Sequence, residues 1–264
     1  MTNVCFAGVT GWTAQPIIAA IEAADDLTLT AGVSRSAAGQ SLTDAVGHGD
    51  GQVYASVADA LEHRPVDVLV DYTSASAVEE NVATAVDRGI HVVIGSSGLT
   101  ADDYAELDRR ARSKNVGVFA AGNFSVMAAV LRRSAALAAE QLSHWEIFDY
   151  ASDTKADVPS GTARELAETL ADVRRPASAV PVEELQGPPE ARGADIAGSR
   201  VHSVRLPTYV VGAEVVFAEA GERLRMTFDP GTSPDLYVAG TLLAIRRVAE
   251  AVGVRRGLDT LLFD

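Results

Sequence analysis

A chain of 264 residues with one cysteine, Cys5, can form no intrachain disulfide and no cysteine-based zinc site. Lysine is nearly as scarce, with only Lys114 and Lys155, while arginine and alanine are abundant. An arginine therefore says little about function here, and a lysine says more. Positive charge is in deficit overall: 22 Lys and Arg stand against 36 Asp and Glu, a formal net charge of −14. Phosphate contacts need a basic footprint that this balance lacks, which argues against nucleic acid or an anionic membrane surface as partner. No 18 apolar residues run uninterrupted, so no membrane-spanning helix is expected. No basic segment precedes the apolar residues 4–7, so the start is not read as a signal peptide and a cytoplasmic location is expected. At 47% hydrophobic and 22% charged, the composition is that of a globular protein with one large core or two modest ones.

The first half alternates short β-like runs (residues 4–7, 27–33, 66–72, 90–94 and 116–120) with helical patterns (17–24, 56–62, 78–87 and 101–112). Strands separated by helices of this length predict βαβ units, hence a parallel sheet covered on both faces. After Asn123 the pattern changes. A long helix over 126–141 leads to a strand over 144–150 and a helix over 161–171; residues 174–198 are rich in Pro, Gly and charge. Runs at 202–205, 209–217 and 223–228 then predict a mixed or antiparallel sheet, and 237–252 reads as a returning helix. The expected fold class is α/β: a Rossmann-like parallel-sheet domain plus a smaller α+β substrate domain. The expected boundaries are 1–123, with 234–264 packing back on it, and 124–233.

Gly8-Val9-Thr10-Gly11-Trp12-Thr13-Ala14 follows the first strand and opens a helix, a GxxGxxA variant of the dinucleotide fingerprint. Its glycines let backbone N–H groups approach a pyrophosphate at the helix N-terminus, making Gly8, Thr10, Gly11, Trp12 and Thr13 candidate cofactor contacts. A plain βα turn would show the same glycines. NAD enzymes usually carry an acid at the end of the second strand to hold the ribose hydroxyls, but here Ser34-Arg35-Ser36 stand. Two hydroxyls and a guanidinium suit a 2′-phosphate, so NADPH is the preferred cofactor and NADH the second choice; a solvent-exposed turn is the alternative. Gly95-Ser96-Ser97-Gly98 and Ala121-Gly122-Asn123-Phe124-Ser125 sit at carboxyl ends of the next strands, where open parallel sheets bind ligands.

Lys155-Ala156-Asp157-Val158-Pro159-Ser160-Gly161-Thr162-Ala163 is the most informative run. Its first-turn N–H groups and two hydroxyls form a carboxylate cradle, with Lys155 supplying positive charge or a proton. A helix start capped by Ser160 or Thr162 explains the same residues. Tyr150, five residues before the lysine, suits a site-facing phenol and equally a packed strand aromatic.

These motifs together resemble the dihydrodipicolinate reductase (4-hydroxy-tetrahydrodipicolinate reductase) family over nearly the whole chain. The resemblance rests on the Gly8/Gly11/Ala14 turn, Asp71-Tyr72-Thr73, both loops above, the Lys155–Ala163 run, and the later Val201-His202-Ser203-Val204-Arg205 and Gly221-Glu222. It implies a homotetramer reducing a cyclic imine-type dicarboxylate with NADPH or NADH in lysine and diaminopimelate biosynthesis. It further implies that Lys155 is the catalytic or substrate-binding lysine and that Ser160, Gly161 and Thr162 hold a carboxylate. Thr73, Gly95, Ser97, Gly98, Asn123 and Phe124 would line the cofactor.

One departure stands out. The family's His-His pair before the lysine is replaced by Ala151 and Ser152, and His48, His63, His91, His144 and His202 all lie elsewhere. Alanine cannot transfer a proton, and serine is a poor acid at neutral pH. The proton then comes from Lys155, Tyr150 or water, or the substrate differs from the family's. Asp149 and Asp153 are expected to add negative charge to this loop, favouring an amine or iminium over a second carboxylate. His202 and Arg205 are expected on opposite faces of an antiparallel strand, with His202 structural or at an oligomer interface. The leading expectation is an NAD(P)H-dependent reductase of a small cyclic imine or imino/keto acid with a remodelled loop. A genuine family reductase with a non-histidine proton donor and a non-catalytic NADP(H) sensor are the alternatives. No metal is expected.

Overall fold

The computed structural model describes residues 1–263. They fall into two compact units, residues 1–126 with the described residues from 234 onward, and residues 127–233.

The first unit opens with β1 (Thr2–Ala7), α1 (Ala14–Glu22) and β2 (Leu27–Val33). There follow α2 (Leu42–Val46), β3 (Gln52–Tyr54), α3 (Val57–His63), β4 (Val68–Asp71) and α4 (Val78–Asp87). β5 (His91–Ile94), α5 (Ala101–Lys114) and β6 (Gly117–Ala120) complete this part. Every strand pairing in the sheet is parallel, and β4 and β6 are buried along their whole length. Strands covered on both faces read as continuous apolar runs, which is why the sequence shows them clearly. In α1, Ala14, Ile17, Ile18 and Ile21 are buried at helical spacing, one stripe facing the sheet. Helix α5 starts in a capping box between Thr100 and Asp103 and ends at Asn115 in the left-handed region.

The second unit contains α6 (Val126–Gln141), β7 (Trp145–Ala151), α7 (Gly161–Val173), β8 (Ala194–Ile196), β9 (Ser199–Arg205), β10 (Val211–Glu219) and β11 (Glu222–Phe228). Its sheet runs β11-β10-β7-β9-β8 and is mixed, because β7 and β9 are parallel and the other pairings antiparallel. Trp145, Ile147, Asp149 and Ala151 of β7 are buried, while Glu146, Phe148 and Tyr150 between them are half-buried on the other face. Helix α7 packs over β7, β9 and β10. Residues 174–198 contain two short 3-10 turns and β8, not an unbroken loop.

The chain then returns to the first unit through α8 (Val238–Arg247), β12 (Gly253–Arg256) and α9 (Asp259–Leu262). The expected helix over 237–252 is thus shorter, breaking into a 3-10 turn before Gly253 at φ +95°. β12 joins the parallel sheet beside β6, giving the order β12-β6-β5-β4-β1-β2-β3. Arg246 grips Asp26 with two hydrogen bonds, of 2.7 and 2.9 Å, fastening α8 near the start of β2. No helix among the described residues is long and apolar enough to cross a membrane.

Candidate active site

In the first unit, the β1–α1 turn lies at the carboxyl end of β1, an interior strand between β4 and β2. Gly8 sits at φ +85°, and a Cβ there would stand 2.3 Å from the Tyr72 carbonyl oxygen, so no other residue fits. Its N–H and that of Val9 both donate to the Val33 carbonyl, locking the turn against the end of β2. Helix α1 begins without a side-chain cap and without an acid in its first turn. The helix thus brings no negative charge of its own to its positive end, and this cradle fits the pyrophosphate of a dinucleotide. Beside it, the hydroxyls of Thr10 and Ser34 meet at 2.9 Å and those of Ser34 and Ser36 at 3.1 Å, with Arg35 exposed. Trp12 is 52% exposed, its ring edge-on to Tyr237 at 6.3 Å. Burial pushes the Tyr237 phenol up to about 12.

The adjoining loops are organised by a residue not singled out as a candidate site residue. Asp71, at the end of β4, is fully buried. Its Oδ1 accepts from the Thr73 N–H (3.1 Å), the Thr73 hydroxyl (2.8 Å) and the Ser96 hydroxyl (2.5 Å), and its Oδ2 from the Asn81 amide at 2.8 Å. One carboxylate thus ties the loops after β4 and β5 together. A charged residue closing an otherwise apolar strand run is the sequence signal that marks it. Gly95 has no room for a Cβ, which would meet the Tyr72 ring at 2.4 Å; Ser97 and Gly98 are exposed. Asn123 caps the next turn, accepting the Ser125 N–H at 2.8 Å. Phe124 is turned into the core, 1% exposed, against Tyr72 and Phe119.

In the second unit, Ser160 is buried and caps α7, its Oγ accepting from the Ala163 N–H at 3.3 Å. Gly161 and Thr162 form the first turn, which contains no acid. The Lys155 ammonium stands 2.8 Å from the Asp157 carboxylate. Asp149 is wholly buried and paired with Arg205 at 2.8 Å. It therefore contributes no free negative charge to the loop, contrary to expectation; only Asp153 and Asp157 remain there. Ala151, at the place of the first family histidine, is completely buried. Ser152 and Thr154 bond each other at 2.9 Å.

Tyr150 is not brought to this group. Asp149 accepts the Ser160 N–H at 3.0 Å on the α7 face, and its strand neighbour Tyr150 therefore points to the opposite face. There its hydroxyl donates to Glu214 at 3.4 Å and its ring stacks on Tyr209. Burial first, and the Glu214 charge second, hold this phenol above its ordinary range. His202 and Arg205 are separated as expected, although β9 runs parallel to β7. His202 meets Glu146 at 2.7 Å, and Arg205 meets Asp149. No group of three or more His, Cys, Asp or Glu among the described residues is placed to hold a metal.

A glycine-cradled parallel sheet joined in one chain to a mixed-sheet unit places the protein in the class of Rossmann-like α/β proteins. Comparison with known proteins sharpens this. The family model described as dihydrodipicolinate reductase, N-terminus, matches residues 2–124, and that described as dihydrodipicolinate reductase, C-terminus, matches residues 123–262. A 4-hydroxy-tetrahydrodipicolinate reductase from Synechococcus elongatus is 36% identical over 264 residues, covering 97% of this chain and 96% of its own. One from Mycolicibacterium vanbaalenii is 34% identical over 256 residues, with 97% and 96% covered. The solved dipicolinate-bound dihydrodipicolinate reductase from Paenisporosarcina sp. TG-14 superimposes with TM-score 0.77 at 25% identity, covering 98% of this chain and 99% of that one. An amine dehydrogenase from Mycobacterium smegmatis shares the fold alone, with TM-score 0.64 at 17% identity over 98% and 95% of the two chains. The chain belongs to the dihydrodipicolinate reductase family and is an NAD(P)H-dependent oxidoreductase.

Proposed function

We propose that this protein is an NADPH-preferring reductase of a small cyclic imine carboxylate, acting without a histidine proton donor. The observation that carries this reading is the acid-free first turn of α7, with Ser160, Gly161 and Thr162 in one loop–helix segment with Lys155, where Ala151 is buried and Ser152 is a weak acid. Gly8, Thr10, Gly11, Trp12 and Thr13 would hold the pyrophosphate end of the cofactor, and Ser34, Arg35 and Ser36 its 2′-phosphate. Thr73, Gly95, Ser97, Gly98, Asn123 and the Phe124 backbone would complete the cofactor's surroundings. The bound nicotinamide supplies the hydride. The first turn of α7 orients the substrate carboxylate, and Lys155, its ammonium 2.8 Å from the Asp157 carboxylate, is the group that can deliver the proton.

A coupled assay tests the reading. Pyruvate, aspartate semialdehyde and the upstream synthase generate the family substrate in place, while NADPH loss is followed at catalytic enzyme levels. Weak turnover with the family substrate, and Lys155-dependent turnover with other cyclic imines or imino and keto acids, is expected of a remodelled paralogue. Rapid, Lys155-dependent turnover with the family substrate establishes the second reading, a lysine-pathway reductase with a lysine donor. That alternative is favoured by the unbroken Lys155-to-Ala163 run and the 36% identity to a curated reductase. NADPH consumption beyond one equivalent per chain excludes a sensor, and tighter binding of NADH than NADPH overturns the cofactor preference. A homotetramer is proposed as well: Phe148, Tyr150 and Tyr209 give the sheet face away from α7 an aromatic surface suited to a second copy. Light scattering of the purified chain settles that mass.

A further inference from the structure

We infer that Asp149 and Arg205 form a positioning pair that fixes the carboxylate cradle and the lysine loop in one geometry. The substrate side of this inference rests on the function proposed above. Its structural side does not.

Asp149 is completely buried, and Arg205 has only 16% of its side chain exposed. Buried ion pairs are often replaceable by apolar groups without loss of stability, so stability alone does not account for this one. Its connections do. Three donors converge on the single oxygen Oδ2 of Asp149: the Ser160 N–H at 3.0 Å, the Ser203 hydroxyl at 2.9 Å and Arg205 Nη2 at 2.8 Å. Ser160 is the residue whose own hydroxyl caps α7, so Asp149 sets where the helix begins. The same Nη2 of Arg205 donates to the Asp157 carbonyl at 2.9 Å, and Nη1 donates to the Val204 carbonyl at 3.0 Å. Asp157 in turn holds Lys155 at 2.8 Å. A planar guanidinium anchored on β9 thereby joins the cradle to the backbone of the residue that pairs with the lysine. Among the described residues, 152–155 otherwise make only local bonds, such as the Lys155 N–H to the Ser152 carbonyl at 3.0 Å.

The pair allows charge and geometry to be tested separately. Asp149 Oδ1 takes no hydrogen bond from any described residue. An asparagine can place its NH2 group there and keep all three acceptances on the remaining oxygen. A lysine at 205 keeps the charge but, as a point donor, loses the fork.

Full-length Arg205→Lys, Asp149→Asn and Asp149→Ala are to be compared with wild type. The readouts are NADPH affinity by fluorescence, pyridine-2,6-dicarboxylate binding by calorimetry, and amide hydrogen exchange over residues 152–163. Arg205→Lys is expected to bind NADPH within about twofold of wild type and the dicarboxylate about 100-fold more weakly, the scale of a small misplacement of binding groups. Its exchange over 152–163 should quicken by about tenfold, reporting local opening. Asp149→Asn should retain more dicarboxylate affinity than Asp149→Ala. If wild type binds NADPH but not the dicarboxylate, the substrate reading fails while exchange still decides the positioning. Folded Arg205→Lys with wild-type exchange over 152–163 overturns the inference. Should that variant fail to fold, Asp149→Asn exchanging no more slowly than Asp149→Ala overturns it instead.

Discussion

The Tyr72 hydroxyl meets the Thr241 hydroxyl at 2.7 Å, joining the end of β4 to α8 across 169 positions of sequence. Thr241 is fully buried, and the Tyr72 ring stacks on Phe6 with its phenol raised well above its ordinary range by burial. This contact holds the returning C-terminal segment against the sheet edge that carries Gly8 and Gly95. Tyr72→Phe leaves the buried Thr241 hydroxyl without that partner and should cost about 1–3 kcal/mol. Urea unfolding checks it; an unchanged midpoint refutes the structural weight placed on this bond.

Gly8 has neither the φ nor the space for a side chain. Gly8→Ala should lose about 1–3 kcal/mol through forced left-handed backbone, with further loss from the clash with Tyr72. NADPH titration followed by fluorescence should show sharply weakened binding, and wild-type affinity would remove this turn from the cofactor site.

Asp71→Ala strips the shared acceptor from Thr73, Ser96 and Asn81. Leaving three half-buried donors unpaired should cost roughly 2–5 kcal/mol. NADPH affinity should fall with it, since both loops are proposed to face the cofactor. Loss of stability with unchanged affinity would show that the loops do not.

Cys5 is buried, and burial first, with the nearby Asp71 charge second, pushes its thiol up to about 12 from 9.0. The folded protein should resist maleimide at pH 8 and react fully once unfolded. The linkage has a definite sign. A folded-state pKa raised above the unfolded value gives stability that is complete below about pH 9 and lost as pH rises toward 12. Cys5→Ala should lack this part of the alkaline slope. Equal slopes in both proteins across that range would contradict the shift.

Tyr150 and Lys155 stand five residues apart in sequence, but only Lys155 shares a loop with the cradle. Tyr150→Phe should keep kcat within about twofold, the scale of a substitution outside the reacting groups. Lys155→Met should abolish turnover while leaving NADPH binding intact. A large kcat loss in Tyr150→Phe would restore the phenol as a donor.

Much of the fold is legible in the chain. The strand at 27–33 and the helices at 78–87 and 126–141 match their sequence patterns residue for residue, because buried strands and amphipathic helices encode burial in their own periodicity. The short edge strands β3 and β12 show no strand pattern in the sequence, and the last helix ends sooner than its pattern predicts. Three residues of Gln-Val-Tyr or the polar Gly-Val-Arg-Arg carry no pattern of their own; a neighbouring strand alone makes them β. The Gly8 turn is legible from strand–turn–helix order, whereas the part Asp71 plays in tying two loops together emerges only in the fold.

By itself, the sequence determined the alternation of strands and helices, the glycine turn after the first strand, the lysine run and the absence of a histidine pair, all properties of residues close in the chain. Only the tertiary structure decided that Asp149 is paired inward with Arg205, 56 positions away, and that Tyr150 faces Glu214 instead of the cradle. Both outcomes follow from strand register. Which face a β residue occupies, and which distant group neutralises its charge, is settled by pairing between segments, and no local pattern records it.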